Sequence, residues 1–321
     1  MRAIHVTRHG GPEVLATVEV DDPVPGPDDL SVRVRAAGVN FIDTYLREGR
    51  YASSPPYIPG AEGAGEVIGV GANVTGFAVG DRVAWPDAPG SYAELVTLPA
   101  AKALHIPDGV SDEVAGGAVL RGLTVHYLLD GSAHPTAGDT ILVHAGAGGI
   151  GSILTQWATA RDITVIATVS SDEKESLARA AGAAHVLRYD EDIAGRVREI
   201  TGGAGVAVAY DGVGAATFDA SIAATAVRGT VVLFGAASGP VPPFDLQRLN
   251  AAGSLSVTRP TLAHFIADPD EFARRAADYF GAIADGTLRV TVGQTFPLAR
   301  AADAHRALEA RATTGATALI P

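Results

Sequence analysis

Cysteine is absent from this chain. Disulfides, thiol nucleophiles, iron–sulfur clusters and thiolate zinc sites are all excluded with it. Positive charge is also short: 24 Lys and Arg stand against 36 Asp and Glu, a net charge of −12. Phosphate recognition needs clustered cations, so nucleic acid and anionic membrane surfaces are not expected partners. No apolar run reaches the roughly 18 residues of a membrane span. The opening stretch MRAIHVTRHGGPEVL lacks the apolar core of a signal peptide, which reads as a cytoplasmic protein. The nine histidines include no His-x-x-x-His pair with a neighbouring Glu, the pattern of a hydrolytic zinc site. No metal site is expected.

What is present is a chain of 321 residues, 47% hydrophobic and 19% charged, long enough for two globular domains. Its most informative stretch is residues 140–169, TILVHAGAGGIGSILTQWATARDITVIATV. The run Ile141-Leu142-Val143 suits a buried parallel strand, and Ile150, Ile153, Leu154 and Trp157 follow at helical spacing. Between them lies Gly146-x-Gly148-x-x-Gly151. One glycine permits the tight turn, one lets backbone N–H groups approach a pyrophosphate, and one lets helix and strand pack closely. The positive end of the helix then faces the phosphates. The complete strand–turn–helix–strand unit points to a dinucleotide site. His144, inside it, reads as a packed core residue.

Residues 1–115 are β-rich, with alternating segments separated by Gly/Pro turns. From about Ala118 the pattern changes to helices alternating with short apolar strands. A helix is expected over residues 119–129 and strands at 141–143, 164–169, 185–187, 206–210 and 230–234, with a sixth at 255–257. Two further helices are expected at about 269–286 and 298–311, and a last strand near 316–320. This alternation implies an α/β fold with a doubly wound parallel sheet inside the chain. The two ends are expected to combine into the other domain.

In an NAD site an acidic residue ends the second strand, about 20 residues past the glycines, and binds the ribose 2′-hydroxyl. Here the strand ends at Val169-Ser170-Ser171, Lys174 follows, and Arg188-Tyr189 ends the next strand. Hydroxyls with a cation suit a 2′-phosphate, which favours NADPH. A competing reading makes Lys174 one member of a solvated cluster with Asp172, Glu173 and Glu175, acids that also lie near enough to approach the ribose.

Several dispersed segments resemble the quinone oxidoreductase (ζ-crystallin-like) branch of the zinc-independent medium-chain dehydrogenases/reductases. They are His9-Gly10-Gly11-Pro12-Glu13-Val14-Leu15, Gly38-Val39-Asn40-Phe41-Ile42-Asp43-Thr44-Tyr45 and Gly122-Leu123-Thr124, then the glycine turn, Tyr210-Asp211-Gly212-Val213-Gly214, Val257-Thr258-Arg259-Pro260 and Arg311-Ala312-Thr313. The resemblance implies a GroES-like β-rich catalytic domain from residues 1–120 and 261–321, a Rossmann domain from 121–260, a cleft for NADPH and substrate, and a homodimer. Zinc alcohol dehydrogenases of the same superfamily carry Gly-His-Glu, whose His binds the metal. The matching stretch here is Gly60-Ala61-Glu62-Gly63, and Asn40 stands where their first cysteine ligand falls.

The resemblance places Asn40 and Tyr45 at the nicotinamide end of the cleft and Thr124 near the cofactor. It assigns Gly148, Gly149, Ile150 and Gly151 to the pyrophosphate, and Ser170, Lys174 and Tyr189 to the 2′-phosphate. Family members commonly have Gly where Ser170 stands. Phe234, Gly235 and Ala236 are expected beside the carboxamide, and Arg259 and Arg311 at phosphates. Plainer readings compete: Asn40 as a turn residue, Tyr45 as a packed aromatic, Thr124 bonded to its own helix, and the two arginines in surface ion pairs. Asp43 reads as a helix-start residue and Glu62 as a structural acid.

Hydride transfer to a quinone asks little acid–base chemistry of the protein, because the cofactor supplies the hydride and the quinone is a strong acceptor. The leading reading is therefore an NADPH-dependent quinone reductase that uses no metal, with Asn40 and Tyr45 orienting the acceptor. Reduction of an activated C=C bond in an enal or enone is the alternative, with Tyr45 as the suggestive proton donor. A crystallin-like or RNA-binding protein with little turnover is the reading of another class, and the net charge counts against its RNA form.

Overall fold

The computed structural model describes residues 1–321, which form two compact units. Unit 1 comprises Met1–Leu123, Ala276–Ala284 and Val290–Pro321; unit 2 comprises Thr124–Arg275 and Asp285–Arg289. The chain thus first leaves the second unit at Arg275, where the resemblance implied a change after residue 260.

Unit 2 contains a six-stranded, wholly parallel sheet. In spatial order its strands are His185–Arg188, Thr164–Val169, Thr140–Val143, Val206–Asp211, Thr225–Leu233 and Ser256–Thr258. Numbered by sequence this is 3-2-1-4-5-6, the doubly wound order, and the direction of winding reverses between Thr140–Val143 and Val206–Asp211. Ile141, Leu142 and Val143 are fully buried, which is why that strand shows a continuous apolar run and no alternation. Leu142, Ile166, Leu187, Val206, Ala209 and Val231 share one core with Val197, Phe218 and Ile222. Each fully buried Val, Leu or Ile contributes about 1.5–3 kcal/mol.

Unit 1 is built on a seven-stranded sheet. Its central strand, Asp29–Gly38, does alternate: Leu30, Val32 and Val34 are buried while Arg33 and Arg35 are exposed. It pairs antiparallel with Gly63–Val70 and Leu95–Pro99, and its far end pairs with Ala316–Ile320, Gly38 opposite Ala318. Leu298, Ala304, Leu308 and Leu319 join Trp85, Tyr92 and Leu98 in one core. The two ends of the chain therefore fold together.

Several boundaries differ from those read in the sequence. The helix expected at 119–129 runs from Asp112 to Tyr127 and closes with a π-helical turn, Leu128–Ser132. Ser111 Oγ accepts Val114 N–H at 3.3 Å, and Asp112 and Glu113 occupy the first turn. Gly116 and Gly117, poor helix formers, concealed that start. Gly116 is needed for close packing, since a Cβ there would lie 2.5 Å from the Ala36 carbonyl oxygen. The fifth parallel strand begins earlier than expected, at Thr225, because an irregularity at Arg228, with φ +62°, lets it pair twice with Val206–Asp211.

Candidate active and cofactor site

Strand Thr140–Val143 leads through Ala145, held at φ +54°, into helix Gly149–Thr159. Gly148 N–H donates to Ala145 O at 2.8 Å and closes the turn. A Cβ on Gly146 would lie 2.6 Å from the Ala167 Cβ, and one on Gly151 would lie 2.8 Å from Gly146 Cα. Neither position has room for a side chain. Gly148 caps the helix with no side-chain bond, so the backbone N–H groups of the first turn face outward. This cradle, at the reversal point of the sheet, fits a pyrophosphate.

The carboxyl ends of the two neighbouring strands lie on the same side. Ser170 is exposed at one tip, and Ser171 Oγ accepts Lys174 N–H at 3.3 Å to cap helix Asp172–Ala180. Asp172 pairs with Arg188, while Glu175 lies 3.3 Å from Arg188 and 2.8 Å from Arg179. Two of the three acids that competed for the ribose are thus engaged with arginines. Tyr189 follows strand His185–Arg188; its hydroxyl accepts Ala145 N–H at 2.8 Å, and its ring stacks on His144 at 6.2 Å and 15°. Gly148–Gly151, Ser170, Lys174 and Tyr189 are therefore assembled at three adjacent strand ends.

Beneath the turn His144 belongs to a hydrogen-bonded cluster around Asp211, and it is the cluster that sequence reasoning missed. His144 is buried, with Nδ1 2.9 Å from Thr168 Oγ1 and Nε2 3.0 Å from Ser221 Oγ. Ser221 Oγ and Thr217 Oγ1 donate to Asp211, which also accepts Val213 and Gly214 N–H, each at 2.9 Å. Burial holds the His144 pKa down, and Asp211 partly opposes this. The imidazole is a neutral core residue. Phe234 N–H donates to Asp211 O at 2.9 Å, and a Cβ on Gly235 would lie 2.9 Å from Gly212 Cα. Phe234, Gly235 and Ala236 are thereby strapped to the loop after Asp211.

In unit 1, Asn40 is the N-cap of helix Phe41–Arg47, and its backbone N–H donates to Asp43 Oδ2 at 2.8 Å. Its side chain donates from Nδ2 to Glu62 Oε2 at 2.7 Å. Glu62 Oε1 accepts Leu120 N–H at 2.6 Å, and the Arg121 guanidinium stands 3.9 Å from Oε2. Burial raises the Glu62 pKa; Arg121, Asn40 and the Leu120 amide oppose the rise. Asp43, also closed to solvent, accepts Tyr92 O–H at 3.2 Å. Tyr92 Oη lies 3.1 Å from His305 Nε2, and His305 Nδ1 lies 2.9 Å from Arg47 Nη1. A guanidinium only donates, so Nδ1 accepts and Nε2 carries the hydrogen. Burial, and next the Arg47 charge, hold the His305 pKa down to about 3. This chain of bonds ends on a group that cannot pass a proton, so it braces the helix.

Tyr45 is buried on the same helix, with the Tyr51 ring edge-on at 5.6 Å and the Arg50 guanidinium 5.6 Å from its centroid. Thr124 is buried in helix Asp112–Tyr127. Arg259 is exposed in unit 2, close enough to Tyr127 to influence it, and Arg311 is exposed in unit 1 at φ +56° just past helix Ala301–Glu309.

Residues 26–108 match the family model described as the alcohol dehydrogenase GroES-like domain, and residues 149–278 match the one described as zinc-binding dehydrogenase. A quinone oxidoreductase of Pseudomonas aeruginosa is 46% identical over 325 positions, which cover 100% of this chain and 99% of the relative. The chain belongs to the quinone oxidoreductase family of the medium-chain dehydrogenases/reductases. A mycobacterial structure, solved in complex with NADPH, is 53% identical with a TM-score of 0.98 and full coverage of both chains. A 2-haloacrylate reductase from Burkholderia is 39% identical, with 98% of each chain covered. No group of three His, Cys, Asp or Glu is placed to hold a metal ion, and Ala61 and Asn40 stand where the resemblance aligns two ligands of the zinc alcohol dehydrogenases.

Proposed function

We propose that this protein reduces quinones with NADPH by hydride transfer without a metal. The observation that carries the cofactor reading is the uncapped glycine turn beside a strand tip of serines, Lys174 and Tyr189, whose neighbouring acids Asp172 and Glu175 are taken by arginines. Relatives of the same length that are named quinone oxidoreductases, and a close structural match that binds NADPH, support the reaction. When bound, NADPH supplies the hydride. The first turn of helix Gly149–Thr159 would hold the pyrophosphate, with Thr124, Phe234, Gly235 and Ala236 toward the nicotinamide and Arg259 and Arg311 at outer phosphates. Asn40 and Tyr45 would orient the acceptor, and the reduced oxygen would take its proton from water or a hydrogen-bond donor.

A second reading, reduction of an activated C=C bond, is favoured by the likeness to the 2-haloacrylate reductase. NADPH consumption with 1,4-benzoquinone, 9,10-phenanthrenequinone, a 2-alkenal and a 2-enone, measured side by side, separates the two. Turnover with the quinones is expected; turnover confined to the alkenal and enone would replace the first reading with the second. We also propose a cytoplasmic location and a homodimer, the latter supported by the open sheet edge Ser256–Thr258 and the exposed Leu246 and Val227. Light scattering after gel filtration should give twice the 32.7 kDa chain mass.

A further inference from the structure

We infer that Glu62 is a positioning residue for the reaction: its carboxylate decides which edge of the Asn40 side-chain amide faces the acceptor. This rests on the proposal that Asn40 orients the acceptor. An asparagine amide has a donor edge and an acceptor edge related by a half-turn, and its own torsion prefers neither strongly. Here Nδ2 faces Glu62 Oε2 at 2.7 Å. The half-turned amide would set oxygen against carboxylate oxygen, so one orientation survives. The second N–H of Nδ2 is then the donor left for a substrate carbonyl.

The carboxylate sits in a space built for it. Gly38 lies beside it, and a Cβ there would come within 2.7 Å of Glu62 Cδ. Leu120 N–H occupies Oε1 at 2.6 Å. Arg121 supplies the counter-charge at 3.9 Å from Oε2 and is itself anchored by Val39 O at 2.7 Å and by Gly117 O. Two chain segments, 38–40 and 117–121, thus converge on one fully buried carboxylate whose remaining polar contact is Asn40. Leu120 N–H and Arg121 would suffice for an acid with only a structural role.

The chain has just three asparagines, Asn40, Asn73 and Asn250, so 15N-asparagine labelling yields three side-chain NH2 pairs. The Asn40 pair should exchange slowly in the parent and shift in Glu62→Gln. With 1,4-benzoquinone, Glu62→Gln should lower kcat about tenfold or more while KM for NADPH stays within about twofold. Glu62→Asp, which keeps the charge, should recover part of the loss. In an Asn40→Ala background, Glu62→Gln should cost less than about a further twofold. Unmoved Asn40 signals, or an equal kcat loss in both backgrounds, would overturn the inference. The amide spectrum needs no turnover, so failure of this inference and failure of the quinone reading are told apart.

Discussion

Asp43 accepts two hydrogen bonds on Oδ2 and none on Oδ1, in surroundings closed to water. Burial dominates and raises its pKa from the ordinary 3.8 to about 7, against the Asn40 amide and Tyr92 hydroxyl, which lower it. The folded state therefore binds the extra proton between those values, and stability falls as pH rises through that window. Asp43→Asn removes the dependence, with a limit of about 4 kcal/mol for the full shift. The melting temperature of Asp43→Asn relative to the parent should be higher at pH 8 than at pH 5. An equal difference at both pH values would show that Asp43 ionises normally. In the proposed 2′-phosphate site, cofactor choice turns on Lys174. Lys174→Ala should raise Kd for NADPH about tenfold or more, about 1.4 kcal/mol, and leave NADH within about twofold. Fluorescence titration with both nucleotides reads this directly.

Helix Asp112–Tyr127 shows how an element can mislead a reader of sequence. Gly116→Ala on a solvent-exposed helix would stabilise by about 1 kcal/mol. Here the added Cβ would meet the Ala36 carbonyl at 2.5 Å and the Ala64 amide nitrogen at 2.8 Å. Overpacking of that kind costs about 1–3 kcal/mol, so the variant should unfold at lower urea than the parent. A higher midpoint would mean the helix can shift away from the sheet. The glycine turn was legible because its requirement is local: turn, phosphate approach and close packing all lie within six residues, Gly146–Gly151. The parallel strands were legible because burial on both faces leaves an unbroken apolar run, as at Ile141-Leu142-Val143. Glu62 and Asp211 were not. Glu62 reaches Asn40 across 22 positions and Leu120 across 58, and such contacts leave no periodic mark on the sequence. Asp211 lay inside a recognised motif, but its hub of hydrogen bonds from Thr217 and Ser221 appears only in three dimensions.

At the scale of the whole molecule, two features decide the chemistry. A doubly wound sheet of order 3-2-1-4-5-6 presents its strand ends to a dinucleotide, and a β-rich unit closed by both chain ends carries Asn40, the residue proposed to orient the acceptor. The expectation that no zinc binds rests on the resemblance, which aligns Ala61 and Asn40 with two zinc ligands, and on the lack of any cysteine. Residues 261–275, by contrast, lie in the unit of the parallel sheet, whereas the resemblance implied that they belong with the chain ends. Metal independence and the choice of NADPH can be read together in a single experiment. The protein should be dialysed exhaustively against a chelator, and its kcat/KM with 1,4-benzoquinone measured with NADPH and with NADH. Turnover should be undiminished after chelation, with at least about a tenfold preference for NADPH, the size expected for one charge-assisted phosphate contact. Turnover lost on chelation and restored by zinc, or equal use of both nucleotides, would contradict metal-free reduction driven by NADPH.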